Sequence, residues 1–335
     1  MDIIIKWILC LAFLGWGNAF GEGIPTDFDT RALETASRFT TWQGIEPDKW
    51  ATIWLIKRYV APDAYFLLVP PNSTLPDNAY AFGVPESPLR RANRQSMFRR
   101  LKQAMELDAP ELNYLDGIIQ DIEVNIWDAS SHPHSTWFEA MYRKLQARYN
   151  RDQVPVDCYL KFFDGVARLS TKPDIQAKDY TAQLSLEDDC PGPGMGKSAF
   201  IGQFNHKDIL REFSLGNKVI FVDTREDEEY NEIHLPGARL LPLRDVDADS
   251  VKSFMDADLV VPYCVKDFRG FEVAKAMKRL GVRRVATLSP NGLKGWLQAK
   301  LPVVRAGVFS EHEARDALMR CATEPSICLK RVKLQ

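Results

Sequence analysis

The chain has 335 residues, of which 45% are hydrophobic and 26% are charged. These proportions are typical of a soluble globular protein, and the length allows two domains of ordinary size. The formal net charge of −2 excludes a chain that binds nucleic acid through general positive charge, so no nucleic acid partner is expected.

The N-terminus has the pattern of an export signal. Residues 7–16 form an apolar run preceded by Lys6, and residues 17–19 supply small side chains of the kind that a signal peptidase reads. The run is short for a membrane span, which needs about 20 apolar residues. We therefore predict a signal peptide at residues 1–19 and a mature protein that is periplasmic or secreted and not integral to the membrane. An uncleaved anchor and a cytosolic chain are the alternatives.

The first half, predicted as a domain at residues 25–185, has mainly helical patterns. Residues 44–60 carry Trp50, Ile53 and Trp54 at helical spacing, and residues 64–71 are typical of a strand. Further helices are predicted at residues 94–107, 114–127, 135–149 and 154–169. This half is expected to be a mainly helical α/β domain.

Residues 186–203 are rich in Gly, Pro and charge, which is typical of a linker. The segment ends in Gly-Lys-Ser, as a phosphate-binding loop does. However, only three residues separate Gly192 from Gly196, where the motif requires four. Nucleotide binding is therefore not predicted.

Strand and helix patterns alternate in the second half. Residues 218–223, 259–264 and 284–288 are β-rich apolar runs, and residues 268–281 have helical spacing. Such alternation predicts a small parallel sheet with helices on both faces, and hence the α/β class. We predict this domain at residues 204–305, followed by a C-terminal tail at residues 306–335.

The second half resembles a rhodanese domain over residues 205–305. The resemblance rests on spaced motifs in the family's order: 222–226 (VDTRE), 234–238 (HLPGA), Tyr263-Cys264 with Arg269 five positions later, Asn291-Gly292, Trp296 and Pro302. It implies a sulfurtransferase of the thiosulfate:cyanide type. Cys264 would take sulfane sulfur from a small donor such as thiosulfate or a persulfide, hold it as a persulfide, and pass it to a thiol acceptor. No metal or other cofactor is required.

The position of Cys264 between a strand and a helix also predicts how its thiol behaves. A strand that runs into a helix places Cys264 at the helix N-terminus, where unpaired N–H groups favour the thiolate. A thiol pKa of ~7 or below is common at such sites, and Lys266 and Arg269 would add positive charge. The predicted active-site loop comprises Val265, Lys266, Asp267, Phe268 and Arg269.

Three residues outside the loop are expected to support it. Asp223 and Arg225 are predicted to hold the loops together, and His234 is predicted to pack structurally, as the resemblance implies. Asp267 stands where the family usually has Gly. Its carboxylate would repel a persulfide unless it points away and pairs with Lys266 or Arg269. The alternative to active transfer is therefore a rhodanese-like module that binds without turnover.

The first half resembles the C-terminal domain of ChrB-type chromate-resistance proteins over roughly residues 40–130. The resemblance rests on residues 54–59 (WLIKRY), 62–64 (PDA) and the strand that ends at 69–70 (VP). Arg91 and Arg94 belong to a basic cluster that is a possible site for an oxyanion such as thiosulfate or chromate. A solvated helix face is the alternative. The competing function is a non-catalytic oxyanion-binding or metal-stress protein linked to chromate resistance.

Five cysteines follow the predicted signal: Cys158, Cys190, Cys264, Cys321 and Cys328. An oxidising compartment favours pairing, so Cys321–Cys328 is a possible disulfide and Cys158–Cys190 another, which would leave Cys264 free. Five reduced cysteines are the alternative. A thiol–disulfide protein is a third functional hypothesis, although no Cys-x-x-Cys motif supports it.

Overall fold

The structure, a computed structural model, describes residues 28–126, 132–170, 190 and 201–324. The predicted signal peptide, most of the predicted linker and Cys328 lie outside these residues. Within them, no helix combines the length and the apolar character that a membrane crossing requires.

The N-terminal half contains a parallel three-stranded sheet surrounded by helices. Its strands are β1 (Arg38–Trp42), β2 (Tyr65–Val69) and β3 (Tyr80–Ala81), in the order β2-β1-β3. Its helices are α1 (Thr30–Thr35), α2 (Pro47–Leu55), α3 (Met97–Ala104), α4 (Pro110–Glu123), α5 (Ser135–Ala147) and α6 (Val156–Leu169). The predicted strand and helices are therefore confirmed, with their ends moved by a few residues.

Helix α2 illustrates how the sequence produces this half. Pro47 occupies the first turn, where a missing N–H costs nothing. Trp50, Ile53 and Trp54 are all buried, as their spacing predicts. The indole Nε1 of Trp54 donates a hydrogen bond of 2.8 Å to Asp164 on α6, which joins α2 to α6.

The C-terminal half contains a parallel sheet. Its strands are β4 (Gly202–Phe204), β5 (Val219–Asp223), β7 (Arg239–Leu240), β8 (Leu259–Tyr263) and β9 (Ala286–Leu288). They lie in the orders β7-β5-β8 and β4-β9, and a parallel bridge between Val260 and Val285 joins the two sets. A short antiparallel pair consists of β6 (Ile233–His234) and β10 (Val304–Arg305). The helices are α7 (His206–Ser214), α8 (Asp227–Glu232), α9 (Phe268–Arg279), α10 (Gly292–Gln298) and α11 (Glu311–Thr323).

Helices cover both faces of this sheet. Ile220 and Val260 point to the face packed by α9, whereas Phe221 and Val261 point to the face packed by α7, α10 and α11. This alternation follows from the two-residue period of a strand. The predicted α/β class, with a small parallel sheet covered on both faces, is confirmed.

The two halves share one hydrophobic cluster. Phe138 and Tyr142 on α5 belong to the same buried set as Phe268, Phe271 and Met277 on α9. The ring of Tyr142 meets that of Phe268 edge to face, with centroids 5.9 Å apart. The N-terminal half therefore packs directly against the helix that follows Cys264.

The structure adds elements at both ends of the C-terminal half. Strand β4 takes in Gly202 and Gln203 from the end of the predicted linker. Helix α11 lies inside the predicted tail, for which we predicted no role, and it buries Leu318 and Cys321 against the sheet. A capping box at Ser310 begins this helix.

The cysteines are paired in part as predicted. Cys158 on α6 forms a disulfide with Cys190. Cys264 is the free cysteine of the part of the chain that the structure describes. The predicted Cys321–Cys328 disulfide includes a residue outside that part, so it stays a prediction.

Candidate functional site

Cys264 lies at the carboxyl end of β8, where the chain turns towards α9. Its carbonyl oxygen accepts a hydrogen bond of 2.9 Å from the Leu293 N–H at the start of α10, and Val265 accepts one of 3.0 Å from Lys294. The Cys264 side chain is only 1% exposed. The predicted strand–loop–helix position is therefore present, but the sulfur is enclosed.

Helix α5 of the N-terminal half encloses the loop. Lys266 Nζ lies 2.7 Å from Glu139 Oε2, and Asp267 Oδ1 lies 2.6 Å from Arg143 Nη2. The other Asp267 oxygen lies 2.8 Å from Arg151 Nη2, just beyond α5. The charged side chains at two successive loop positions are thus paired with the N-terminal half.

Asp267 does not take either of the partners that we predicted from the sequence. Its carboxylate points away from its neighbours Lys266 and Arg269 and accepts from two arginines and from the Ser289 hydroxyl, 3.0 Å away. Burial raises the pKa of Asp267, but Arg143 and Arg151 outweigh that effect and lower it. The charge that replaces the family's usual Gly is therefore neutralised by the other half of the chain.

The expected low pKa of the Cys264 thiol is not found. Burial raises its pKa, because an enclosed thiolate loses its hydration, and Glu123 adds a repulsive charge. Arg269 and the Gly270 backbone N–H act in the opposite direction without reversing the shift. In this closed arrangement burial therefore outweighs the helix N-terminus.

Arg269, the last residue of the predicted loop, is held by Glu229. Its guanidinium donates to both carboxylate oxygens, at 3.0 Å and 3.2 Å. Burial raises the pKa of Glu229, yet the charge and hydrogen bonds of Arg269 lower it to about 2. This pair places a cation beside Cys264.

Asp223 and Arg225 form a buried ion pair at the end of β5. Arg225 donates to both Asp223 oxygens, at 2.9 Å and 2.7 Å, and also to the Ile233 carbonyl. The Tyr263 hydroxyl donates to Asp223 at 2.7 Å and accepts from the Leu235 N–H at 3.0 Å. These contacts join β5, β6 and β8 behind the cysteine, and the supporting role of Asp223 and Arg225 stays a prediction.

His234 packs against Tyr230, and the structural role that the resemblance implies for it stays a prediction. Its ring stacks on Tyr230 with centroids 4.0 Å apart, and its Nδ1 lies 2.9 Å from the Tyr230 carbonyl oxygen. Its Nε2 faces Glu311 at 3.5 Å. These neighbours tie His234 to α8 and α11.

The proposed oxyanion residues are both paired with carboxylates. Arg91 Nη2 lies 3.1 Å from Asp48 and 2.9 Å from Glu123, and Arg94 Nη2 lies 2.6 Å from Glu232 of the C-terminal half. Arg91 and Arg94 line a cleft of about 500 Å³ between the halves. An anion that enters this cleft would compete with carboxylates for both arginines, so their role stays a proposal.

Two family models match the chain. One is described as ChrB, C-terminal domain, and matches residues 39–169; the other is described as Rhodanese-like domain and matches residues 207–299. The chain carries both domains. We call these segments the ChrB domain and the rhodanese-like domain. The sequence-based resemblance is confirmed. The ChrB match ends at residue 169, whereas the resemblance was predicted over roughly residues 40–130.

Other comparisons add little to this assignment. A crystal structure of the BH2092 protein from Bacillus halodurans is similar at 24% identity, over 31% of this chain and 77% of that one, with a TM-score of 0.28. No curated protein matches the chain. Among the residues that the structure describes, no group of three or more His, Cys, Asp or Glu is placed to hold a metal ion.

Sequence reasoning missed the residues of the ChrB domain that surround the cysteine. Glu139 and Arg143 are four residues apart on α5, a spacing that usually indicates an exposed surface pair. Arg151 follows the helix in a turn. No local signal distinguishes such charges from a solvated face, so only the tertiary structure reveals their partners on the rhodanese-like domain.

The Glu229–Arg269 pair predicts a dependence of stability on acid. The pKa of Glu229 falls from 4.5 to about 2 on folding, so this carboxylate stabilises the fold above pH 4.5 and loses its contribution as the pH approaches 2. The full contribution corresponds to about 3 kcal/mol. We expect Glu229→Gln to flatten the pH dependence of the unfolding free energy in this window, as measured by urea titrations.

The exposed Glu228 provides the control. Glu228→Gln removes the same charge one residue earlier, and it should leave the pH dependence nearly unchanged. Equal pH dependence for Glu229→Gln and the unmodified chain would contradict the role of this ion pair.

Proposed function

We propose that this protein is a sulfurtransferase that carries sulfane sulfur as a persulfide on Cys264. The observation that supports it is the placement of a free cysteine at the end of β8, within a rhodanese-like domain and beside Arg269. The supporting contacts of Asp223 and Arg225 fix the neighbouring strand ends. The ChrB domain serves as an accessory that covers the loop.

The reaction with thiosulfate balances without a redox partner. The Cys264 thiolate attacks the outer sulfur of thiosulfate, the S–S bond of the donor breaks, and sulfite leaves with the bonding electron pair. A thiol acceptor or cyanide then attacks the outer sulfur of the persulfide and restores the thiolate. The thiol proton, which the raised pKa retains on Cys264, must pass to water before the first attack.

The reaction is tested by thiocyanate formation from thiosulfate and cyanide with the full chain. Mass spectrometry after thiosulfate alone should find one added sulfur on the peptide that contains Cys264. Cys264→Ser should abolish both signals, whereas Asn217→Ser, remote from the loop on the surface, should keep both. Absence of the adduct and of turnover in a folded chain would contradict the proposal.

A non-catalytic rhodanese-like protein is the second candidate. The enclosed sulfur and its raised pKa favour it, because a protonated thiol is a poor nucleophile. Such a protein would bind an oxyanion, chromate among them, in the cleft beside Arg91 and Arg94. Isothermal titration with chromate and sulfate would then detect binding that Cys264→Ser leaves intact and Arg94→Gln weakens.

We also propose that the protein is exported and acts in the periplasm or outside the cell. The Cys158–Cys190 disulfide supports this location, since disulfides persist in oxidising compartments. The apolar run at residues 7–16 is the sequence feature behind it. N-terminal sequencing of the protein recovered from a periplasmic fraction should begin after residue 19.

A further inference from the structure

The ChrB domain covers part of the loop that begins at Cys264. Its Glu139, Arg143 and Arg151 pair with the two loop residues Lys266 and Asp267, at distances between 2.6 Å and 2.8 Å. The Asp267 side chain is fully buried beneath these partners. These partners therefore cover the side of the loop that carries Lys266 and Asp267.

Contacts between arginine side chains and aromatic rings reinforce this closure. The Arg143 guanidinium lies 4.5 Å from the centre of the Phe268 ring, and that of Arg151 lies 4.2 Å from the centre of the Phe271 ring. Both phenylalanines are buried. Cations above aromatic faces gain most where water is excluded, so each arginine contributes charge pairing and packing together.

A small cavity remains beside the loop. It holds about 130 Å³ and is lined by Thr224 and Arg269 of the rhodanese-like domain and by Lys49, Arg91 and other residues of the ChrB domain. The Thr224 hydroxyl donates to the carbonyl of Tyr263, the residue before Cys264. Cys264 does not line this cavity, but Arg269 of the same loop does. The cavity has room for a small inorganic ion such as thiosulfate beside that arginine.

We propose that the ChrB domain is a size filter that admits small inorganic sulfur donors to Cys264 and excludes persulfides carried on proteins. The donor part rests on the proposed sulfurtransferase function. The closure of the site does not rest on that function, because access to the Cys264 sulfur is independent of the reaction that the sulfur carries out. The two parts can therefore be tested separately.

Closure is tested with two thiol reagents of different size. Methyl methanethiosulfonate and the aromatic disulfide DTNB are applied to the full chain, and their rates at Cys264 are measured by peptide mass spectrometry. The rate in urea-unfolded chain gives the intrinsic reactivity for each. We expect the native fold to slow DTNB about 100-fold more than the small reagent, because DTNB requires the domains to open. Equal protection against both reagents would overturn the filter.

Variants of the ChrB domain test which contacts close the site. The double substitution Arg143→Gln and Arg151→Gln leaves Asp267 buried without a cation and should raise the DTNB rate by about 100-fold. Glu139→Gln weakens the pairs with Lys266 and Arg143 but leaves both arginines on Asp267, and it should raise the DTNB rate by about tenfold. It is the informative variant if the double substitution does not fold. Arg284→Gln breaks an arginine–carboxylate pair with Glu212, away from this interface, and should change nothing.

The donor part is tested with thiosulfate and with a small protein that carries a cysteine persulfide. We expect the unmodified chain to gain one sulfur from thiosulfate only, and the Glu139→Gln chain to gain it from both donors. Equal loading of the unmodified chain by both donors would overturn the filter. If neither donor loads a chain that remains protected from DTNB, the proposed function fails and the closure is supported.

Discussion

Replacing Asp267 by Asn is expected to lower the free energy of unfolding by about 3–5 kcal/mol, because it leaves two partly buried arginines without the fully buried carboxylate that they share. Asp267 is fully buried and contacts Arg143 at 2.6 Å and Arg151 at 2.8 Å. Substitution of Asp267 by Gly, the residue that the rhodanese family usually has here, should lower the free energy of unfolding by a similar amount. Urea unfolding at neutral pH measures both.

An exposed ion pair supplies the comparison for Asp267. Asp249 and Lys252 contact each other at 2.5 Å, but both side chains are largely exposed. Asp249→Asn should therefore change the unfolding free energy by less than about 1 kcal/mol. A similarly small effect at Asp267 would show that the two domains do not depend on this contact.

Replacing Gly292 by Ala is expected to destabilise the chain by about 3–5 kcal/mol and to displace the Cys264 loop, through backbone strain and overpacking together. Gly292 has a φ of 49°, in the left-handed region. A Cβ there would lie 2.5 Å from the Cys264 carbonyl oxygen and would also collide with that of Lys266. Neither carbonyl can move without shifting the loop.

Gly216 separates these two causes. Its φ of 77° is also left-handed, but a Cβ there would meet no atom within 4 Å. Gly216→Ala should cost only the strain of the backbone, about 1–2 kcal/mol. Comparing both variants by urea unfolding and by sulfur loading of Cys264 isolates the effect on the loop. Equal losses of stability would contradict the predicted collision.

Local patterns in the sequence were enough to predict the sheet, its covering helices and the position of Cys264. The β5 and β8 runs are short and apolar, and the motif around Asp223 and Arg225 fixes where the strand ends. Helix α11 could also have been predicted from the sequence. Ser310 and Glu313 have the spacing of a capping box, and Ala314 and Leu318 follow at helical spacing.

The properties of the cysteine depend on distant residues and could not be predicted. A helix N-terminus favours the thiolate, which led to the expectation of a low pKa. Burial and the charge of Glu123, which belongs to the ChrB domain, reverse that expectation. Likewise, the partners of Asp267 lie more than 100 residues earlier in the chain. Pairing over such separations leaves no periodic trace in a single sequence.

The hydrophobic cluster shared by the two domains has a practical consequence. Phe268, Phe271 and Met277 are buried in that cluster together with residues of α5. A rhodanese-like fragment cut free at the linker would lose Tyr142, Arg143 and Arg151, and it would expose Phe268, Phe271 and Asp267 to water. Such a fragment would tend to self-associate, and it would report the behaviour of a surface that is buried in the intact protein. Biochemistry on this protein therefore calls for the undivided chain.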